Sequence, residues 1–311
     1  MKPAPSIIFF TVASGAGYGL LFWLGVLKPL GLLPASSLFG ATAAIIALAL
    51  IVAGLCSSLL HLGRPERAWR ALSQWRSSWL SREGVAAVLT FLPATVFLIA
   101  LAHDEAGLIL PAGLLSAAGA AVTVYCTGMI YASLKPVKEW HHPMVAPGYL
   151  LFASFSGASL LAMLAIFWGG GFFPALVAAA LGMAALMFKR AYWASVDATP
   201  AASTRESATG LGFIGKVRPL ESPHTESNYL LREMAFRVGR VHAAKLRIIA
   251  LLLGFALPAL LFCLAIIIGG GAAMALGLLA AAGAIAGLLV ERWLIFAEAT
   301  HTVALYYPTQ R

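Results

Sequence analysis

The feature that most constrains the fold of this chain is a series of eight long apolar runs. Each run has about 20 residues, the length that an α-helix needs to cross the hydrocarbon core of a bilayer. None shows the alternating pattern of a membrane β-strand. We therefore predict an all-α membrane protein, a bundle of eight transmembrane helices. The runs are Ile7–Leu27, Leu38–Leu60, Gly84–Ala102, Leu108–Leu134, Pro147–Trp168, Phe172–Phe188, Ile248–Ile268 and Ala272–Ala297.

The composition agrees with a single integral membrane domain over residues 1–311. The chain is 61% hydrophobic and 11% charged, whereas a soluble domain is about 25% charged. In a soluble protein the net charge of +9 would suggest nucleic-acid binding. In a membrane protein basic loops instead indicate orientation. We predict contact with membrane lipid and no nucleic-acid partner.

The distribution of charge predicts how the bundle is oriented. Eight spans place both termini on one side, together with the loops 61–82, 135–146 and 189–246. Every Lys and Arg except Lys28 is on that side. Because basic loops are retained in the cytoplasm, we predict that both termini face the cytoplasm from a cell inner membrane, and that the partner-binding face is cytoplasmic.

The loop 189–246 contains a basic amphipathic segment, NYLLREMAFRVGRVHAAKLR. Leu230, Met234 and Val238 recur at helical spacing, while Arg237 and Arg240 fall largely elsewhere. The pattern predicts an amphipathic helix. Such a helix either lies on lipid or forms a platform for a soluble partner, and the sequence favours neither alternative.

The positions of the histidines and cysteines argue against a cofactor bound by this chain. A haem relay across the bilayer needs axial histidines inside facing helices, but none of the seven histidines is in the middle of a run. Cys56, Cys126 and Cys263 are isolated from one another, which indicates neither a disulfide framework nor a cysteine-ligated cluster. We predict no haem, iron–sulfur cluster, molybdenum or other metal here.

The densest group of charged and aromatic residues is the segment from His61 to Glu83. Its five arginines and three tryptophans are Arg64, Arg67, Arg70, Arg76, Arg82, Trp69, Trp75 and Trp79. His61 ends one predicted helix and Glu83 begins the next, so antiparallel packing should bring them together. A quinone needs an apolar slot, donors to its two oxygens and a titratable group for its protons. The segment predicts a quinone site at the membrane surface.

These residues also have ordinary explanations. Glu83 could be favoured by the helix dipole, and the tryptophans and arginines could anchor the interface and fix topology. Glu291 and Glu298 are seven residues apart and share a helical face, with His301 one turn beyond. All three are speculative additions to the proton-active group, because Glu291 and Arg292 could equally form a structural ion pair.

The same residues carry a resemblance to a known family. The sequence HLGRPERAW…SWLSRE in 61–83 and, more weakly, the terminal ERWLIFAEATHTVALYY resemble the membrane-anchor subunit of dimethyl-sulfoxide-reductase-type molybdenum enzymes. The resemblance implies three subunits: a molybdopterin subunit for the substrate, a four-cluster iron–sulfur subunit, and an anchor that exchanges electrons with quinone. It also implies that His61 and Glu83 bind menaquinol and that Arg67 belongs to their site.

The predicted orientation separates two branches of this family. An inward-facing loop 61–82, KPVKEWHHP at 135–143 and the long loop 189–246 resemble anchors of cytoplasmic sulfite-oxidising, quinone-reducing complexes. This implies electron flow from sulfite to menaquinone or ubiquinone. The alternative is a menaquinol-oxidising anchor of a dimethyl sulfoxide reductase. Alternatives from another class are a multi-helix transporter and a passive structural anchor.

Roles are predicted for individual side chains on this basis. Glu83 and His61 exchange protons, and the same two residues bind quinone together with Arg67 and Trp79. The residues predicted to dock the partner subunits are Arg64, Arg70, Arg76, Arg237 and Arg240.

Overall fold

A computed structural model describes residues 3–60, 62–200, 203–221 and 242–306. Over these ranges the chain is almost entirely helical, and eight of the described helices are long and apolar enough to cross a membrane. This confirms the predicted helical class and number of spans. The eight helices are α1 Pro5–Leu27, α2 Ser37–Leu59, α3 Trp79–His103, α4 Ala106–Ala132, α5 Val145–Phe167, α6 Phe172–Ala198, α7 Ala243–Ile268 and α8 Gly270–Ala297.

Short helical segments occur between the spans and within one of them. Within the described ranges three lie outside the spans: the 3₁₀ segments Pro65–Gln74 and Thr302–Tyr306, and the one-turn helix Arg205–Thr209. A π-helical turn, Leu252–Ala256, interrupts α7. Pro258 follows this turn and has no N–H to continue the ordinary hydrogen-bond ladder, which accounts for the wider turn before it.

The helices α1 and α5 form the centre of the bundle. They are the most buried of the eight, and α1 packs against α2, α4, α5 and α8. They cross at Gly19 and Gly157, where a Cβ on Gly19 would meet the carbonyl oxygen of Ala153 at 1.8 Å. Small residues at such crossings allow helix backbones to touch in lipid. The crossing therefore requires glycine and fixes how closely α1 and α5 pack.

Three predicted helix boundaries differ from the structure by five residues or more, because charged residues stop a hydropathy prediction but not a helix. α3 begins at Trp79, so Glu83 is one turn inside the helix instead of opening it. α6 continues ten residues beyond Phe188, and α7 begins at Ala243. The predicted loop 189–246 is therefore shorter, because its first and last residues are helical. The predicted amphipathic segment covers residues 228–247, of which 228–241 lie outside the described ranges.

One end of the bundle gathers the long loops and the basic residues. We call it the basic end, where α2, α4, α6 and α8 finish. Its connections are tied together by hydrogen bonds: Tyr192 donates to the carbonyl of Glu139 at 2.7 Å, and Thr300 N–H donates to Glu139 Oε2 at 2.9 Å. His142 in the same α4–α5 connection faces Ser195 at 3.0 Å, and burial lowers its pKa. The connections therefore form a structured surface.

Candidate functional site

Glu83 is buried one turn inside α3. The helix begins at Trp79 because the hydroxyl of Ser78 accepts a hydrogen bond from the N–H of Ser81 and caps the first turn. α3 packs along α4, and the hydroxyl of Thr127 in α4 donates a hydrogen bond to Glu83 Oε1. Glu83 is only 5% exposed. It is therefore a carboxyl inside the bundle and not an exposed charge at a helix start.

The polar groups nearest to Glu83 among the described residues are hydroxyls. Its electrostatic neighbours include the hydroxyls of Tyr18 on α1, Tyr131 on α4 and Tyr149 on α5. No described Lys, Arg or His side chain forms an ion pair with it. An ionisable residue inside a membrane bundle is costly without a counterion, so its presence suggests a function. The arrangement suits a carboxyl that takes up and releases a proton.

A small polar cavity lies beside Thr127. Its volume is about 20 Å³ and its lining includes Thr11, Ser14, Thr127, Tyr149 and Arg292. About one water fits in a cavity of 10–15 Å³ or more that offers polar partners. The cavity therefore has room for one water between the hydrogen-bond partner of Glu83 and the guanidinium of Arg292.

The loop before α3 presents its charges outward. Arg64, Arg67, Arg70 and Arg76 are all exposed, and Trp69 is 69% exposed. The loop is held to α3 by Leu72, which packs against Gly84. Exposed arginines interleaved with tryptophans can contact lipid headgroups or an acidic partner, but none of these four lines the buried space around Glu83.

Trp79 and Arg82 connect this loop to the helix. The Arg82 guanidinium lies 4.3 Å from the centre of the Trp79 ring, and that ring packs edge-on against Tyr125 of α4 at 6.0 Å. Arg82 also donates to the carbonyls of Trp75 and Arg76, at 2.9 and 2.7 Å. These contacts fix the geometry of the chain just before Glu83.

A second buried group lies between α6 and α8. Lys189 Nζ is 2.5 Å from Glu291 Oε1, and Arg292 Nε is 3.3 Å from Glu291 Oε2. All three side chains are buried. The Arg292 guanidinium also lies 3.8 Å from the centre of the Tyr149 ring. We call Lys189, Glu291 and Arg292 the ion triad, which joins α5, α6 and α8.

Nearer the basic end, a surface ion cluster joins α6 and α8 to α7. Arg247 donates to Asp197 at 2.6 Å and to Glu298 at 2.7 Å, and these residues line a cavity of about 350 Å³ that also includes Lys138. Because Arg247 pairs with both Asp197 and Glu298, its evident role is to hold the start of α7 against the ends of α6 and α8.

Comparison with known proteins identifies the family. The family model described as DMSO reductase anchor subunit (DmsC) matches residues 1–307. The chain belongs to this family. It is also 35% identical over 327 aligned positions to a protein from Allochromatium vinosum that is named as a subunit of sulfite dehydrogenase, and the alignment covers 99% of each chain.

This membership confirms the resemblance predicted from residues 61–83 and from the C-terminal segment. As an anchor subunit, the chain is the membrane part of an oxidoreductase complex. The predicted site residues lie in different places, and some are outside the part of the chain that the structure describes. Glu83 and Trp79 lie in the first turns of α3, whereas Arg67 remains exposed beside Glu66 at 3.9 Å. His61, Arg237 and Arg240 lie outside the described residues.

The prediction for the last helix needs one correction. Glu291 pairs with Lys189 of α6, and Glu298, the residue after α8, pairs with Arg247 of α7. Because α8 ends at Ala297, His301 is not one turn further along it. His301 instead pairs with Val137 in an isolated β-bridge. Thr300, at the start of this segment, donates to Glu139 in the α4–α5 connection, which turns the chain away from the helix axis.

Sequence reasoning missed three residues that shape the site. Lys189 was predicted in a loop, although Tyr192, Trp193 and Val196 continue the buried helical face beyond it. Thr127 is 44 residues from Glu83, and a threonine inside an apolar run gives no local signal. Tyr18 is similarly inconspicuous within α1. Only packing brings these residues to Glu83 and Glu291.

Proposed function

We propose that this anchor is quinone-reactive and passes electrons between the quinone pool and an iron–sulfur partner at the basic end. The observation that carries the proposal is Glu83, a buried carboxyl with a hydroxyl partner and no ion-pair partner among the described residues. Reduction of a quinone requires two protons, and a carboxyl able to change its protonation can relay them.

We propose sulfite as the electron donor of the complex, with the substrate site in a molybdopterin subunit. The likeness to the sulfite dehydrogenase protein of Allochromatium vinosum supports this choice. Sulfite and water yield sulfate, two protons and two electrons; a quinone takes up two electrons and two protons to give the quinol. The electrons pass through a four-cluster iron–sulfur subunit, and the quinone is menaquinone or ubiquinone.

Within this anchor, Glu83 and His61 exchange the protons with the aqueous phase at the basic end. Arg67 and Trp79 form the surface part of the quinone site. Docking of the partner uses the exposed arginines of the basic end, namely Arg64, Arg70 and Arg76, together with Arg237 and Arg240. Glu291 and Glu298, each paired with cations, hold helices together.

The basic end faces the cytoplasm in this proposal, with both termini, in a cell inner membrane. The excess of Lys and Arg at this end supports the orientation. Reporter fusions test it. A fluorescent protein fused after residue 311 should fluoresce, while alkaline phosphatase inserted in the 169–171 turn should be active. The reverse pattern would contradict a cytoplasmic partner.

The function is tested on the complex as a whole. The proposed molybdopterin and iron–sulfur subunits are expressed with and without the chain, purified through a tag on the molybdopterin subunit, and assayed for reduction of decylubiquinone by sulfite. We expect sulfite-dependent quinol formation that disappears when the chain is omitted, although sulfite oxidation with a soluble dye persists. Quinol formation without the chain would make it a passive anchor. A tagged chain that purifies without molybdenum or iron would favour a transporter.

The alternative function is that the anchor oxidises menaquinol and passes the electrons to a dimethyl sulfoxide reductase. One observation favours it, the DMSO reductase anchor description of the family. The same purified complex distinguishes the two. A menaquinol-oxidising anchor would oxidise a quinol with dimethyl sulfoxide as acceptor and would show no reduction of quinone by sulfite.

A further inference from the structure

The ion triad carries more positive charge than its carboxylate balances. Lys189 and Arg292 are two cations, and Glu291 is the one acid that either of them pairs with among the described residues. Lys189 is the closer partner, at 2.5 Å, so Lys189 and Glu291 alone would form a neutral pair. A buried charge is costly unless it is compensated, and inside a membrane bundle it suggests a function. Arg292 is therefore the member of the triad that pairing does not explain.

The guanidinium of Arg292 is only loosely bound to Glu291. Its Nε is 3.3 Å from Glu291 Oε2, but this oxygen accepts no hydrogen bond of ordinary geometry from any described residue. A guanidinium has five N–H donors, and buried polar groups normally use their hydrogen-bonding capacity. Arg292 is 3% exposed and lines the small polar cavity, so this cavity is within reach of its donors.

The hydroxyl groups of the small polar cavity are placed to accept hydrogen bonds. Thr11 and Ser14 of α1 and Ser156 of α5 donate their protons to carbonyls of their own helices, at 3.0, 2.6 and 2.8 Å. Their oxygens keep lone pairs that can accept. A water that accepts from Arg292 and donates to hydroxyl oxygens fits this lining, and buried waters make about three hydrogen bonds. A chloride ion would meet only lone pairs at the hydroxyls.

Thr127 connects this cavity to Glu83. Thr127 lines the cavity, and its one hydroxyl proton has two acceptors, Glu83 Oε1 and the carbonyl of Thr123, the latter at 3.1 Å. A hydroxyl both donates and accepts hydrogen bonds. A proton that reaches the Thr127 oxygen from the cavity can therefore release the proton of Thr127 to Glu83.

We propose that Arg292 is a positioning residue that holds a water in the small polar cavity, and that this water exchanges protons with Glu83 through the Thr127 hydroxyl. The proposal rests on the proposed quinone function. In one transfer an O–H bond of the water breaks as a bond forms to the Thr127 oxygen, whose own O–H bond breaks as Glu83 gains the proton. The water regains its proton from the aqueous phase at the basic end, the source already proposed for Glu83. The reverse transfer empties Glu83.

A map of the wild-type complex tests the water itself. Electron cryo-microscopy at a resolution that shows other buried waters should reveal density in this cavity. The density should lie within hydrogen-bond distance, about 2.7–3.2 Å, of both an Arg292 nitrogen and the Thr127 hydroxyl oxygen. An empty cavity, or density that reaches only one of these groups, would overturn the proposal.

A matched pair of variants separates positioning from structural support. Arg292→Met and Lys189→Met each remove one buried cation and leave the other paired with Glu291. Arg292 lines the cavity, whereas Lys189 is not among its described lining residues. Arg292→Met should slow the reoxidation of the sulfite-reduced complex by decylubiquinone about tenfold, as expected for a lost hydrogen bond to a charged group. It should also increase the slowing caused by D2O.

The controls have the opposite expectation. Lys189→Met should leave both the rate and the D2O effect near wild type, and Arg292→Lys, which keeps a cationic donor, should restore most of the rate. Equal rates and equal D2O effects in Arg292→Met and Lys189→Met would overturn the proposal and reduce Arg292 to a structural role.

A second variant keeps the kinetic test decisive even where Arg292→Met prevents assembly. Thr11→Val removes one acceptor of the cavity at nearly constant volume and changes no charge. It should slow reoxidation about fivefold, the effect of one neutral hydrogen bond. Ser116→Ala is the control, because Ser116 is buried on α4, bonds within its own helix and is not among the described lining residues. Wild-type kinetics in both variants would overturn the proposal.

These outcomes are separable from those of the proposed function. If the cavity variants behave as wild type while the complex still reduces quinone, the anchor is quinone-reactive and its protons take another route. If the wild-type complex reduces no quinone, the proposed function itself fails.

Discussion

Two buried glutamates, Glu83 and Glu291, lie near the same end of this bundle in opposite environments. Glu83 is held by the hydroxyl of Thr127 and makes no ion pair with any described residue. Glu291 lies between Lys189 and Arg292, at 2.5 and 3.3 Å. Burial of a charge is costly unless it is paired. Glu291 is paired twice, whereas the side-chain partner of Glu83 among the described residues is a hydroxyl.

The difference separates a structural carboxyl from a chemical one. Protonation of Glu291 would leave two buried cations without a counterion, so Glu291 stays ionised. Protonation of Glu83 breaks no ion pair with any residue that the structure describes. A residue that relays protons must exist in both states, and among these two glutamates only Glu83 can do so at modest cost.

The largest effect should follow Glu83→Gln, which tests the chemical half of the comparison. Glutamine keeps an oxygen to accept from Thr127 but cannot exchange a proton. Quinone turnover should fall about 100-fold or more, the usual contribution of a positioned acid–base group, with little change in the unfolding temperature. The matched control is Glu66→Gln in the exposed loop, which should leave turnover near wild type. Equal turnover in both variants would remove Glu83 from the proton path.

The structural half is tested by Glu291→Gln. Two buried cations then lose their counterion, and the chain should be destabilised by roughly 3–5 kcal/mol, measured by thermal unfolding in detergent and by the yield of assembled complex. Adding Lys189→Met should restore part of that loss, because one unpaired charge is removed. Glu298→Gln, in the more exposed surface cluster, should cost only about 1 kcal/mol. A Glu291→Gln variant of normal stability that reduces quinone slowly would instead place Glu291 in the chemistry.

A smaller effect is expected from Thr127→Val, which removes the hydroxyl partner of Glu83 with little change in shape. Turnover should fall roughly tenfold, as expected for a hydrogen bond to a carboxylate. Thr95→Val is the control, because Thr95 is exposed on α3 and donates only within its own helix. The two variants should differ in quinone kinetics; identical kinetics would mean that the contact with Thr127 does not tune Glu83.

The smallest effect concerns the exposed arginines. Arg70→Gln should weaken binding of the iron–sulfur partner by a few-fold, and by more at low salt, because exposed charges contribute about 1 kcal/mol or less and are screened. Arg190→Gln, an exposed charge outside the loop, should leave affinity unchanged. Titration of the detergent-solubilised anchor with the partner measures both. A loss of equal size in the two variants would argue against docking by this loop.

The sequence was sufficient to predict the features of this molecule that depend on composition. Eight apolar runs predict eight helices, and the unusual density of Arg and Trp beside Glu83 marks one end of the bundle. Helix ends were less predictable: Lys189 stops a hydropathy window, yet its helix continues because Tyr192 and Trp193 bury the same face. Lys189 is tolerated inside because Glu291, 102 residues away, compensates it.

The inner part of the site could not be predicted, for a different physical reason. Tyr18, Thr127 and Tyr149 are on three helices, and each resembles its apolar neighbours in a hydropathy profile. Their meaning arises only when the packing of α1, α4 and α5 brings their hydroxyls near Glu83. A carboxyl is conspicuous in an apolar sequence; a hydroxyl without a partner becomes visible only in three dimensions.

The most direct test of the account is the rate at which quinone reoxidises the partner's iron–sulfur clusters. In stopped flow, the complex is first reduced with sulfite and then mixed with decylubiquinone while cluster absorbance is followed. In the Glu83→Gln complex, reduction by sulfite should proceed at the wild-type rate and reoxidation by quinone should be about 100-fold slower. Reoxidation at the wild-type rate would contradict the claim that this buried carboxyl handles the protons of the quinone.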